Sequence, residues 1–452
     1  MSHTRRTFLK TAGVGAFAAS AAQGEEPSNP GEVVWQRKVP VRYEADVAVL
    51  GGGIAGVTAA MAAARDGARV VLVERFAVTG GNATVGGVAS FCGETHGQGA
   101  VFDAILDALE TWNAIVPYKP YPEADNRVFD HAILAVVLQE LLLKDGVKLL
   151  LHTDLVDVNV SGRGHVSEVI VCGPSGPEAL RAKQFIDCTG EAHLASRAGF
   201  TTMKGREEDN LQLPMSLMYF VREVDKEHAK PQVPEGWFKA LRERGDLPMT
   251  SIWPNGPGGK AHKIKIPMFD ASDTESITQA EIASRRRMME VLDYFQRVEE
   301  KPWRLDHASP RIGIREGRRI LGEYVLNVEE LRAACTFDDA IARGVYYLDG
   351  HKPDDDKRTY ILPKEERKVP PYQIPFRCLR LREAVNVLAA GRLLSADQLA
   401  MSSARVMTTC AMMGQAAGYA AAIAVRKSCE ARDVDPLDVR KAVEAQGADL
   451  AV

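Results

Sequence analysis

The chain has 452 residues, 46% of them hydrophobic and 26% charged, with a formal net charge of −4. That length exceeds one small domain and suits a large α/β enzyme body, at ~100–200 residues per domain. No run of about 20 consecutive apolar residues is present to span a bilayer, and the acidic balance argues against nucleic acid as a partner.

At the N-terminus, Thr4, Arg5, Arg6, Thr7, Phe8, Leu9 and Lys10 precede an Ala-rich run ending near Ala19, Ser20 and Ala21. This resembles a twin-arginine signal peptide over residues 1–22, which implies export to the periplasm or beyond. Removing its three cations would leave a net charge of −7. Residues 23–42, with Pro27, Pro30 and Pro40, read as a linker.

From Tyr43 the pattern becomes that of a βαβ unit: a strand over 46–50, a helix over 56–66 and a strand over 68–73. Helices are expected over 101–115 and 129–144, then a strand over 147–152. A hairpin or meander follows over 155–171, and another strand over 184–187. Seven prolines interrupt the region between residues 214 and 267. Beyond them 278–299 reads as a long helix with a capping box of Thr278 and Glu281. A strand over 385–390 leads into Gly391 and Arg392, then a Met-, Ala- and Gly-rich helix over 403–426 and an amphipathic helix over 436–447.

Gly51, Gly52, Gly53, Ile54, Ala55 and Gly56 fit GxGxxG between a predicted strand and a predicted helix, and Glu74 ends the next strand. Each part has a task. Gly51 permits the tight turn, Gly53 admits a pyrophosphate to the backbone, and Gly56 lets helix and strand pack closely. The helix N-terminus offers free N–H groups to phosphate, and Glu74 can accept hydrogen bonds from a ribose. Arg75 directly after the acid, and the small residues Gly80, Gly81, Asn82, Ala83 and Thr84, favour an extended FAD over NAD. No second GxGxxG follows; Gly256 to Lys260 lacks phosphate-loop spacing and reads as a turn.

The fold class expected is therefore α/β: a Rossmann-like FAD-binding domain with a parallel sheet and a β-meander, plus an inserted mixed α+β substrate domain. The FAD-binding domain occupies 43–200 and 371–452, around a substrate or cap region at 201–370. Seven cysteines without a CxxC pair support neither an iron–sulfur cluster nor a metal site.

Four stretches resemble the FAD-dependent oxidoreductase family related to the flavoprotein subunit of heterodisulfide reductases. They are Val49 to Thr84; Phe185 to Ala192; Gly313 to Arg319; and Pro371 to Cys378 with Ala390 to Arg392 and Ser402 to Met407. The resemblance implies that Thr189 and Gly190 lie beside the pyrophosphate or adenosine, and that Gly391 and Arg392 approach the flavin. A helix starting near Ser403 would aim its positive end at the flavin ring, favouring the reduced form. Relatives often carry a His after the AGR motif, where this chain has Asp397 and Gln398; some carry iron–sulfur clusters, which its cysteine spacing does not support.

Arg315 is the first catalytic candidate, because an arginine in a turn before a helix can orient a carboxylate or carbonyl. An ion pair with Glu316 or Glu323 is its structural alternative. His96 is the second, as a proton carrier beside the ring, against a loop histidine bonded to backbone. Arg405 is expected to contact flavin rather than substrate. Cys378 and Cys410 sit among apolar neighbours, and Met401, Met407, Met412 and Met413 read as core filling. The expected reaction moves a hydride from a small-molecule substrate to FAD, with an external electron acceptor. A flavin-dependent isomerase or dehydratase without net redox change, and a non-catalytic FAD-retaining protein, are the alternatives.

Overall fold

From Ala45 onward every residue of β1 (Val41–Leu50) is buried, because a parallel strand covered on both faces needs apolar side chains on both. The computed structural model describes residues 31, 33, 35–115, 127–225, 227–255 and 258–452, of which Pro40–Val452 form one unit. The segment expected as a signal peptide, half of the linker and part of the turn at Gly256 lie outside the described residues. β1 starts before the expected residue 46 because Val41 to Ala45 pair with Ala179 to Ala182.

β1 turns into α1 (Ile54–Arg65), and β2 (Val70–Val73) returns parallel to it, Val47 opposite Val70. α2 (Ala100–Thr111) and α3 (His131–Lys144) follow; α3 is capped by Asp130, which accepts the N–H groups of Ala132 and Ile133. β3 (Lys148–Leu150) extends the sheet beyond β2. β4 (Asp154–Ser161), β5 (His165–Gly173) and β6 (Gly176–Asp187) make an antiparallel meander. β6 is far longer than the expected 184–187. Its first half belongs to the meander and its end to the parallel sheet.

A second sheet is antiparallel. It contains β7 (Met215–Glu223), β8 (Thr250–Pro254), β9 (Gly259–Ile266) and, after α4 (Thr274–Arg297), β10 (Trp303–Ala308), in the order β8-β9-β7-β10. Met215, Leu217, Tyr219, Ile264 and Ile266 pack against Met288, Val291, Leu292 and Phe295 of α4. The two-residue period of a strand therefore turns Ser216, Met218 and Lys263 to the other face. The capping box expected at Thr278 and Glu281 is corrected: Asp273 caps α4 one turn earlier by accepting the Ser276 N–H. Glu281 pairs instead with Arg285 and accepts the Ile312 N–H.

β11 (Val387–Ala389) pairs parallel with the end of β6, completing a main sheet ordered β3-β2-β1-β6-β5-β4 with β11 beside β6. The single helix expected over 403–426 is two: α5 (Gln398–Ala404), capped by Asp397, and α6 (Met407–Lys427). Extended backbone at Val406 separates them. α7 (Pro436–Ala445) closes the chain. α6 crosses α1 through small residues, with Thr58 Oγ1 donating to the Ala411 carbonyl at 3.0 Å. A Cβ on Gly418 would overlap the Ala59 carbonyl. Among the described residues no helix is long and apolar enough to cross a membrane.

Candidate functional site

Gly51 has φ +98°, and a Cβ there would lie 2.5 Å from the Cys188 carbonyl oxygen. Only glycine meets both conditions without strain. A Cβ on Gly56 would overlap the Gly51 carbonyl, whereas one on Gly53 would meet nothing within 4 Å. The corner is thus sealed on its protein side and open at Gly53, where α1 presents its first N–H groups.

Glu74 is 4% exposed. Its carboxylate accepts the Gly52 N–H at 2.7 Å and the Phe76 N–H at 2.9 Å. Burial pushes its pKa up, against those two N–H groups and the charges of Arg75 and Arg311. Gly51, Glu74, Arg75, Thr189 and His193 line a small cavity at this end of the sheet. Thr189 also borders a larger one of about 220 Å³, lined too by Gly53, Ile54, Ala55, Gly81, Asn82 and Gly190. Gly391, Arg392, Arg405 and Arg315 complete it.

Thr84, Ser403 and His96, all expected at the site, do not line it. Thr84 is buried and donates to the Thr79 carbonyl at 2.7 Å, bracing the turn at Gly80. Ser403 belongs to α5, where it accepts from the Tyr372 hydroxyl at 2.7 Å and donates to the Tyr346 carbonyl at 2.6 Å. The helix end at the cavity is that of α6, through Val406 and Met407. His96 is exposed, because the loop after Cys92 turns it to solvent and leaves Cys92 facing the cavity.

Arg315 precedes a strand, Arg318–Ile320, and not a helix. Neither of its expected acidic partners holds it. Glu316 pairs with Arg319 and accepts the Leu213 N–H, while Glu323 pairs with Arg380 and Arg432. Arg315 instead donates one Nη to the Pro214 carbonyl at 2.6 Å and to Ser216 Oγ at 2.7 Å. This fixes the guanidinium at the foot of β7, and burial followed by the charge of Arg405 pushes its pKa down to about 10.

Charge at the large cavity falls into two groups, the first centred just behind its wall. Around buried Glu191 stand Arg311 at 2.8 Å, Arg392 at 3.2 Å, Arg75 at 3.3 Å and His193 at 3.3 Å. Burial alone would raise the Glu191 pKa, but these neighbours, Arg311 foremost, hold it well below the usual carboxylate range. Farther along, Asp349 pairs with Arg405 at 2.8 Å and His351 at 3.3 Å. Burial opposes its ionisation, and His351, Arg405 and Arg315 overcome that cost. Lys263 lines the same region, its pKa pushed down to about 8 by burial and then by Arg315. Sequence reasoning missed Lys263, Asp349, Arg311 and the tie to Glu191. The alternation of Lys263 and Lys265 with Ile264 and Ile266 was the one local signal, since it sets two lysines on one face of a strand.

A dinucleotide-binding α/β body facing an antiparallel sheet across one cavity is the class of fold seen here. The chain belongs to the FAD dependent oxidoreductase family, whose model matches residues 46–443. A thiamine thiazole synthase of Aeropyrum pernix is 33% identical over 162 residues, covering 34% of this chain and 57% of that protein, little more than half its length. A geranylgeranyl bacteriochlorophyll reductase-like protein from Thermoplasma acidophilum aligns over 91% of this chain and 94% of its own, with 14% identity and a TM-score of 0.46. For p-nitrophenol 4-monooxygenase from Pseudomonas putida DLL-E4 the coverages are 90% and 87%, with 15% identity and a TM-score of 0.46.

FAD is the cofactor, and the residues present fit it. The backbone at Gly53 is open to a diphosphate, and Arg392 at the cavity wall keeps a buried Nε without an acceptor. Among the described residues no group of His, Cys, Asp and Glu is arranged to hold a metal ion.

Proposed function

We propose that this protein oxidises a small organic donor and passes the electrons to an external acceptor such as a quinone, a soluble carrier or oxygen. Bound FAD would supply the hydride acceptor. The observation that carries the reading is one cavity lined both by the glycine corner and by Ser216, Lys263 and Arg315.

In this reading Gly53, Ile54 and Ala55 give backbone to the diphosphate at a corner shaped by Gly51 and Gly56, and α1 gives its positive end. Glu74, with Arg75 beside it, holds the adenosine ribose. Gly81, Asn82, Thr189 and Gly190 border the middle of the dinucleotide, and Arg311 and Arg392 offset the diphosphate charge. Gly391, Val406 and Met407 lie toward the flavin, where the N-terminus of α6 favours negative charge. The antiparallel sheet and the 201–370 region act as the cap that excludes water, and Arg315 orients the donor. The family motifs at Arg315 and Gly391 support kinship with heterodisulfide reductase flavoproteins, and the first 22 residues support export by the twin-arginine route.

The test is direct. Purified protein should carry flavin absorbance, and anaerobic mixing with a donor panel should bleach it until an acceptor is added. A bound flavin that no donor bleaches overturns the oxidoreductase reading. Transient bleaching that recovers without an acceptor identifies the isomerase or dehydratase class instead.

A further inference from the structure

Among the described residues five cations line the large cavity, Lys263, Arg311, Arg315, Arg392 and Arg405, against one carboxylate, Asp349. Arg311 and Arg392 have Glu191 behind them, and the FAD diphosphate falls to that pair in the reading above. Arg315, Arg405 and Lys263 have only Asp349, which is already engaged by Arg405 and His351. This end of the cavity therefore keeps an excess of positive charge after FAD is counted.

Placement separates the groups further. Arg315 and Lys263 enter from the antiparallel sheet, Arg315 anchored at Ser216 of β7 and Lys263 on the same face of the adjoining β9. They line the same cavity as the glycine corner. The Lys263 ammonium makes no hydrogen bond or ion pair with any described residue, and Arg315 commits one Nη to protein acceptors. Cations held together away from bulk water repel one another, so a site of this kind is relieved by an anion. An arginine fork with N–H groups to spare beside a flexible ammonium matches the two oxygens of a carboxylate.

We infer that the donor is an organic acid anion whose carboxylate is held between Arg315 and Lys263 on the sheet side of the flavin cavity. The inference rests on the FAD-dependent oxidation proposed above and adds the substrate class. Asp349 has a positioning role: it fixes Arg405 and leaves the other two cations for the ligand.

The bound flavin reports on the site without turnover. Anaerobic holoprotein is titrated with lactate, benzoate and glucuronate, and in parallel with their neutral counterparts propane-1,2-diol, benzamide and glucose, following flavin absorbance and, by calorimetry, heat. At least one acid should bind at least 10-fold more tightly than its neutral counterpart, with affinity falling as chloride is raised. Lys263→Met should weaken that acid 10-fold or more at unchanged FAD content and melting temperature, and Arg315→Lys should weaken it as well.

Equal binding of acids and neutral analogues, or no binding of any acid up to 10 mM, overturns the inference while leaving the flavoenzyme reading intact. So does a Lys263→Met protein that shifts the flavin reduction potential but binds acids like the parent, since the charge would then serve the flavin. Absence of FAD from the preparation is seen before any acid is added and overturns the underlying reading.

Discussion

A Cβ on Gly414 would overlap the carbonyl oxygen of Ala55. The contact is backbone to backbone, so no side chain can rotate aside to relieve it. It is also what lets α6 cross α1 closely enough for both N-termini to border one cavity, with Ile54 and Ala55 from one helix and Val406 and Met407 from the other. Gly414→Val should destabilise the fold by about 1–3 kcal/mol or more, seen as a lower midpoint in urea. FAD affinity should fall with it. A variant as stable as the parent would mean that the two helices are not in this contact.

Gly51 and Gly53 should respond in opposite ways to the same methyl group. Gly53 already has φ −66° and free space beyond it, so Gly53→Ala should fold normally and lose FAD affinity by about 10-fold, or 1.4 kcal/mol. Gly51→Ala meets both a φ of +98° and the Cys188 carbonyl, and should lose stability even without cofactor. Melting curves of the two apoproteins beside a flavin titration measure the difference.

Glu191→Gln removes the one carboxylate shared by Arg311, Arg392, Arg75 and His193. Breaking a buried ion group by deleting one sign costs about 3–5 kcal/mol. The loss should be greater in apoprotein than in holoprotein, because in the proposed arrangement FAD brings a second anion to Arg311 and Arg392. Equal losses in both forms would place the diphosphate elsewhere.

Lys263 should make acid binding sensitive to alkali. Its ammonium faces Arg315 and Arg405, which disfavour the charge, and Asp349 and Cys92, which favour it, with burial the largest influence. The pKa of about 8 in the open site means that the cation is present below that pH and lost above it. The Kd for a carboxylate should rise steadily from pH 7 to pH 9, and Lys263→Met should flatten the profile.

Asp270 should contribute to acid unfolding. Burial raises its pKa, but hydrogen bonds from Lys204, Ser272 and Gln212 outweigh this and hold it at about 2. A carboxyl depressed below the ordinary Asp value of about 3.9 stabilises the fold above that value, and this contribution disappears as pH falls through about 2. Between pH 5 and pH 2 the melting temperature of Asp270→Asn should decline less than that of the parent.

Much of the βαβ unit was legible because its signals are local. Gly51, Gly53, Gly56 and Glu74 lie within one strand-turn-helix-strand stretch, and the apolar runs of β1 and β2 mark a sheet buried on both faces. Element ends were less legible. A helix over 403–426 reads as continuous in composition, yet Val406 adopts extended backbone and Arg405 is drawn to Asp349, which splits it into α5 and α6. Thr278 and Glu281 have capping-box spacing, but Asp273 starts the helix a turn sooner and leaves Glu281 free for Arg285.

By itself the sequence determined the kind of nucleotide corner the chain makes, because a turn without side chains followed by a helix and an acid is a property of consecutive residues. The tertiary structure alone decided which charges share the cavity. Lys263, Arg315, Asp349 and Arg405 come from a strand, two loops and a helix end, and no spacing along the chain relates them. It likewise placed Ser403 and His96 outside the cavity, since the direction of a side chain follows from the packing of the element that carries it.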